Sequence, residues 1–291
     1  MEKVICITHS ADLDGHVSGA IIKSKYPDAK IIGWNYGQKL PDIPNEHNII
    51  MTDISFPIEE MTKLAGNAES FTWIDHHISA INEYKKHPKL ESLITSVLPK
   101  GHEQVAACEL TWRHIYPDKK LPEAIRLLGA YDCFRHKGTK EEQQVLQFQF
   151  ACRALYTNPE ECRQALDLSV ETISDLMYVD GKAIYNYLKS EAKTTFEKGF
   201  EIDVDGHKFI CLDGDRVNPI NFGLDYHAKG FEGSACFWYE EDQWHFSLYN
   251  DDGKVDCSAL AKKRGGGGHF GASGLELDNK QFYDFIKTKK L

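Results

Sequence analysis

The sequence predicts an α/β protein of two domains, on three observations. Over roughly the first 130 residues, short apolar runs alternate with helix-like segments, the pattern of a mainly parallel sheet flanked by helices. Residues 140–200 are helical in pattern almost throughout. From residue 201 two hairpin-like runs and two helices follow, which describe a smaller mixed α/β domain. The expected division is 1–165 for the first domain, 166–199 for a helical linker and 200–291 for the second domain, with the active site in the cleft between the domains.

The elements run in order. "KVICIT" is a short apolar strand, and "HVSGAIIKSKYP" is a helix stopped by proline. "AKIIGWN" and "NIIMTD" are strands, "IEEMTKLAG" is a helix, and "SFTWID" is a further strand. "EQVAACELTWRHIYP" and "LPEAIRLLGAYD" read as helices. "ETISDLMYVDGKAIYNYLKSEAKTTFEKGF" repeats apolar residues at helical spacing around one glycine. "EIDVDGHKFICLD" turns on Asp-Gly as a hairpin. "SACFWYEEDQWHFSLYN" is a second hairpin, and "DCSALAKKRG" and "KQFYDFIKTKK" are helices.

Composition narrows the function classes. Of the 291 residues, 42% are hydrophobic and 27% charged, as in folded soluble proteins. No apolar run reaches the length of a membrane span, and the amino-terminal apolar stretch is too short for a signal peptide, so a cytoplasmic location is expected. Eight scattered cysteines form no Cys-x-x-Cys pair, which gives a structural zinc site no support. The net charge of −10 argues against a protein that coats long nucleic acids but not against one with a small anionic substrate.

The polar strand ends carry the chemistry. The first strand runs into "THSADLDG", which delivers His9, Asp12 and Asp14 before Gly15. Another ends at Asp53, and the next at Asp75-His76-His77. "LLGAYDCFRHK" adds Asp132 at a helix end, followed by Arg135 and His136. Singly, Asp12 or Asp14 reads as a helix cap, Asp53 as a turn residue and His76 as a loop histidine. Together, three strands end in carboxylates or imidazoles at one sheet edge, where ligands bind in such sheets. Uncompensated acids gathered there are costly, and oxygen plus imidazole donors without thiolates suit a divalent transition metal.

Near the end, "AKKRGGGGHFGASG" lacks the spacing and the Lys-Ser/Thr pair of a Walker phosphate loop. Its glycines permit close backbone approach to a phosphate, and successive N–H groups can form an anion nest beside Lys262, Lys263, Arg264 and His269.

"HSADLDG", Asp53, "DHH" at 75–77, Asp132 and "GGGGHFGASG" at 265–274 occur in the order seen in DHH-family phosphoesterases with a DHH-associated carboxyl-terminal domain, and the chain resembles that family over nearly its whole length. Its nano-RNase (oligoribonuclease) and bisphosphonucleotide phosphatase members are the nearest in kind. The resemblance implies two divalent metal ions, usually manganese. His9, Asp12 and Asp53 would hold one, and Asp14, Asp53, His76 and Asp132 the other, with Asp53 bridging. Asp75 would orient a neighbouring histidine, and His77 would face the scissile phosphate as the catalytic group. Arg264, Gly266, Gly267, Gly268 and His269 would bind substrate.

Two departures from the family pattern stand out. Only two residues separate His9 from Asp12, where many relatives have three. Tyr249 stands near where many relatives have a phosphate-binding arginine, leaving that charge to Arg135, Arg216 or Arg264, while Tyr249 itself could stack on a base.

The expected function is metal-dependent hydrolysis of short oligonucleotides or dinucleotides to mononucleotides. A 3′,5′-bisphosphonucleotide phosphatase is one alternative, and an exopolyphosphatase or pyrophosphatase is another. A non-enzymatic nucleotide-binding regulator would not need so full a set of metal-directed groups. The expected partners are short oligonucleotides or nucleotide phosphates, with no membrane; the sequence leaves the oligomeric state open, a homodimer included.

Overall fold

The computed structural model describes residues 3–101, 103–215 and 217–291. Arg216 lies outside the described residues. The chain divides into two compact units, Met1–Tyr185 and Asn186–Leu291.

In the first unit β1 (Val4–His9), β2 (Lys30–Trp34), β3 (Asn48–Thr52), β4 (Ser70–Ile74) and β5 (Thr95–Val97) form an all-parallel sheet in the order β2-β1-β3-β4-β5. The sequence reading has four of these strands. The fifth, β5, is a three-residue edge strand, too short for an alternating pattern to show.

Successive side chains of β1 point to opposite faces. Ile5 and Ile7 join Met51, Met61 and Trp73 in one core, while Val4 and Cys6 join Ile22, Ile50 and Leu110 in the other. The first face is covered by α2 (Ile58–Asn67), α3 (Ile78–Tyr84) and α4 (Pro88–Glu91), and the second by α1 (Leu13–Lys25) and α5 (Ala107–Ile115). Burial on both faces explains why these strands read as continuous apolar runs.

α1 starts at Leu13 rather than at His16, because Asp12 caps it by accepting from Gly15 N at 3.0 Å. Gly15 is fixed by a close approach: a Cβ there would stand 2.2 Å from the carbonyl oxygen of His9. The helix therefore begins hard against the end of β1.

α6 (Glu123–Asp132), α7 (Glu142–Leu155), α8 (Pro159–Cys162), α9 (Val170–Asp175) and α10 (Lys182–Glu197) follow. The division between units falls inside α10. Leu166, Ile173 and Leu176 are buried with the helices of the first unit, and Phe196 packs with Ile210 and Leu212 of the second. The segment 166–199, expected as a linker, is thus shared between the units by its own apolar residues.

The second unit holds β6 (Phe200–Val204), β7 (His207–Asp213), β8 (Gly233–Glu240), β9 (Gln243–Tyr249), β10 (Gly267–His269) and β11 (Ala272–Leu277), in the order β10-β11-β9-β8-β7-β6. All neighbours are antiparallel except β7 and β8. The expected hairpin turn is Asp205-Gly206, with φ of 51° and 90°, as a two-residue turn of this hand requires. α11 (Cys257–Lys262) and α12 (Asn279–Thr288) are capped by Asp256 and Asp278. No helix among the described residues is long and apolar enough to cross a membrane.

Candidate metal centre

β1 lies between β2 and β3, so the winding of the sheet reverses beside it. In sheets of this order the ligand site lies at that point, outside the carboxyl ends of the strands. His9 ends β1, Asp53 follows β3 and Asp75-His76-His77 follows β4. The Asp12–Asp14 turn and the end of α6 bring in the remaining acids.

The structure brings together the eight first-unit residues expected as metal-directed or catalytic groups. His9 Nδ1 stands 3.1 Å from Asp12 Oδ2 and 3.6 Å from Asp53 Oδ2. His76 Nε2 stands 3.6 Å from Asp14 Oδ2, 3.4 Å from Asp53 Oδ1 and 3.3 Å from Asp132 Oδ2. Asp53 belongs to both groups. Its φ of 62° is left-handed, a conformation uncommon outside glycine though tolerated by Asp. The shortened spacing between His9 and Asp12 does not keep His9 out of the cluster.

Asp75 has a different part. Its Oδ1 accepts from His76 N at 2.7 Å, from His77 N at 3.0 Å and from His77 Nδ1 at 2.7 Å. The histidine that Asp75 orients is therefore His77, with Nδ1 committed to the carboxylate.

Three supports carry no local signal in the sequence. Asp14 accepts from Ala107 N and Cys108 N, both at 2.8 Å, at the start of α5. Asn35 Oδ1 accepts from Tyr36 N at 2.9 Å, which fixes the amide's orientation, so the 3.1 Å contact at His9 Nε2 is an N–H donated to that oxygen. This turns Nδ1 toward Asp12 and Asp53, as an outer partner does for a metal-binding imidazole. Glu109 is buried and accepts from Arg135 at 2.5 Å, which commits one of the arginines considered for phosphate binding.

The electrostatics are those of crowded acids. Burial disfavours a charged ring at His9, but Asp12 and Asp53 outweigh it and hold its pKa well above the ordinary value. Burial is likewise overcome at His76, chiefly by Asp132 and Asp53. Asp14 is pushed well above the carboxylate range by burial and by the charges of Asp53 and Asp132. Asp132 rises to about 6, mainly through burial, with Asp12 and Asp53 adding to it against the pull of His76. Asp12 and Asp75 move down despite burial, held by His9 and His77 respectively.

These residues fit divalent cations. Among the described residues, both carboxylate oxygens of Asp53 are buried without a hydrogen-bond partner, a costly state for a carboxylate unless a cation meets it. The 3.3–3.6 Å gaps between imidazole nitrogens and the carboxylates of Asp14, Asp53 and Asp132 are long for hydrogen bonds. They suit groups that share an ion at bond lengths of about 2.0–2.2 Å. Cys133 Sγ lies 3.7 Å from His76 Nδ1 and forms a further candidate metal-holding group with His76 and Asp132, and burial pushes its thiol up to about 11.

The other expected residues lie in the second unit. Arg264 donates to Asp205 at 2.7 Å and to Leu260 O at 3.0 Å. The glycine run is not an open nest. Gly265 N and Gly266 N donate to Lys262 O and Ala261 O, and Gly267, Gly268 and His269 pair with Gly274, Ser273 and Ala272. The close approach of these strands requires the glycines: a Cβ on Gly266 would meet Gly274 O at 2.1 Å. Tyr249 ends β9, paired with Ser234 and Ala272.

No family model matches the chain. It is 23% identical over 247 residues to an uncharacterized protein of Acanthamoeba polyphaga mimivirus, a match that takes in 83% of this chain and 56% of that protein. The chain thus spans about half the length of this relative. Among solved structures it is similar to the DHH domain of a member of the s1p family of ribosomal proteins, with a TM-score of 0.60, 14% identity, and coverage of 99% of this chain and 85% of that one. The pGpG-specific phosphodiesterase PggH of Vibrio cholerae gives 0.51 at 16% identity, covering 98% and 97%. An exopolyphosphatase-related protein of Bacteroides fragilis gives 0.50 at 16%, covering 99% and 91%. The fold of this chain, with Asp75-His76-His77 at the end of its fourth strand, is the fold of the DHH-domain proteins.

Proposed function

We propose that the chain is a metal-dependent phosphoesterase that hydrolyses short oligonucleotides or dinucleotides to mononucleotides. The observation that carries this reading is Asp53, a buried carboxylate whose oxygens make no hydrogen bond among the described residues, shared between a His9–Asp12 group and an Asp14–His76–Asp132 group. His9, Asp12 and Asp53 would hold one divalent ion; Asp14, Asp53, His76 and Asp132 would hold the other, and manganese is the expected metal. When bound, such a pair lowers the pKa of water and clamps the attacking and leaving oxygens of an in-line displacement at phosphorus.

The remaining work belongs to the chain's own groups. Asp75 sets the tautomer and ring plane of His77. His77 then stabilises charge developing on the scissile phosphate or protonates the leaving oxygen. Arg264, oriented by Asp205, and Gly266, Gly267, Gly268 and His269 are assigned to substrate binding. The likeness to a phosphodiesterase specific for the dinucleotide pGpG supports a short nucleotidic substrate. A second reading, hydrolysis of polyphosphate, has in its favour the likeness to an exopolyphosphatase-related protein.

Product analysis decides between the readings. Purified protein with manganese is offered labelled dinucleotides, longer RNA and DNA, 3′,5′-bisphosphorylated adenosine and polyphosphate in parallel. We expect mononucleotides from the dinucleotides, at the highest rate of the set. Phosphate release from polyphosphate alone would overturn the nucleotidic reading.

A further inference from the structure

The edge that carries the charged cluster also carries a groove without charge. It has a volume of about 450 Å³ and is lined by Trp34, Tyr36, Gln38, Leu40, Ser55 and Phe56, with Gly37 and Pro57 completing the wall. Its two sides are the segments that follow β2 and β3, the strands flanking β1. It neighbours the candidate metal centre. The Tyr36 ring meets His9 edge-on at 6.3 Å, and Ser55 stands two residues beyond Asp53.

The aromatic residues are built in layers. Trp34 and Phe56 are buried and packed edge-to-face at 4.8 Å, with Trp34 anchored by its Nε1 donating to Lys39 O at 3.2 Å. Trp34 in turn supports Tyr36 at 5.5 Å. Tyr36 itself is 49% exposed, and among the described residues its hydroxyl has only long contacts of 3.4 Å to Ser55. A rigid base thus presents an accessible ring.

We infer that this groove is a nucleobase subsite, in which Tyr36 stacks on the base of a nucleotide whose phosphate lies at the strand ends beside it. The inference rests on the phosphoesterase reading and gives the base of the proposed nucleotidic substrate a site. No lining residue is cationic or anionic, so a substrate made only of phosphates would set its charges against an aromatic wall with no counter-charge. A planar base gains there, because every base has a π-face and stacking is tolerant of sequence. The groove therefore favours nucleotides over inorganic polyphosphate. Gln38 and Ser55 offer hydrogen bonds to a base edge, although Gln38 Oε1 already accepts from Asn35 N at 3.0 Å.

The test compares two probes that differ only by the base. Adenosine 5′-monophosphate and ribose 5-phosphate are titrated calorimetrically into the full chain with saturating manganese. We expect the wild type to bind the nucleotide about five- to a hundredfold more tightly, the range given by one base–aromatic stack. Tyr36→Ala should erase most of that gap and Tyr36→Phe should keep it. Ribose 5-phosphate and manganese affinities should be unchanged in both variants. Equal binding of the two probes by the wild type, or a gap that survives Tyr36→Ala, would overturn the base subsite and leave the phosphoesterase reading standing. Binding of neither probe would overturn both.

Discussion

The two units treat charge in opposite ways. In the first, parallel strands all end at one edge, and the acids and imidazoles at that edge face one another with Asp53 unsatisfied. In the second, neighbouring strands mostly run antiparallel, and several of its charged groups are paired where they stand. Lys263 and Arg264 share Asp205, His227 meets Asp251 at 2.9 Å and His207 meets Glu232 at 3.1 Å. Its glycines, too, are used by backbone pairing. The difference teaches that unsatisfied charge, rather than charge itself, marks where a cation is wanted. Surface pairs of the second kind are each worth about 1 kcal/mol or less, whereas an uncompensated buried carboxylate costs several times that.

The comparison breaks most visibly at Asp53. Asp53→Ala should bring turnover below detection, since both metal-directed groups lose their shared member. The fold should survive, because the change relieves carboxylate repulsion at an open strand end. Circular dichroism and a phosphoester assay on the same preparation check this, and wild-type turnover would sink the bridging role.

His77→Gln ranks next. It removes the group held by Asp75 and leaves the other acids and imidazoles in place. We expect kcat to fall on the order of 10²- to 10⁴-fold, the usual contribution of a positioned acid–base group, with manganese affinity nearly unchanged. Loss of metal in this variant would make His77 a ligand instead.

In the second unit, His269→Ala should lower kcat/KM roughly ten- to a hundredfold, the value of one charge-assisted hydrogen bond, while manganese binding stays the same. A larger loss accompanied by weaker metal binding would give His269 a ligand's role and erase the contrast between the units.

The smallest effect is on stability. Asp132 has a folded pKa of about 6 against an ordinary 3.8. Between those values the folded state keeps a proton that the unfolded state has released, so stability falls as pH rises. Asp14, His9 and His76, all raised, act in the same direction, the histidines above pH 6.5. Asp12 and Asp75, both lowered, act only at the acid end, where stability is lost as pH drops below the carboxylate range. Chelator-treated protein should therefore melt at a lower temperature at about pH 8 than at about pH 5. Manganese should recover more at the higher pH. A metal-free midpoint that rises with pH would show that the acids are not crowded.

Much of the fold and the candidate centre was legible because its signal is local. Apolar runs ending in Asp53 or Asp75-His76-His77 announce both a buried strand and its polar end. What stayed hidden depends on distant contacts. Asp14 is held by backbone N–H groups 93 and 94 residues away, and Asn35 reaches His9 across 26. Neither leaves a pattern in its own stretch of chain. The pairing of the glycine run was hidden for a related reason: glycine marks close approach, but its own stretch of chain does not show that β11 is among the groups that approach. β5 is simply too short to show a period.

The central claim is that Asp53 joins two metal-directed groups at the ends of β1, β3 and β4. Manganese titration of the metal-free chain by calorimetry, with Asp53→Ala alongside, tests it most directly. The account predicts two ions per chain for the wild type and lost or greatly weakened binding in the variant. A wild type that binds no manganese, or an Asp53→Ala chain that binds two ions with unchanged affinity, would contradict it.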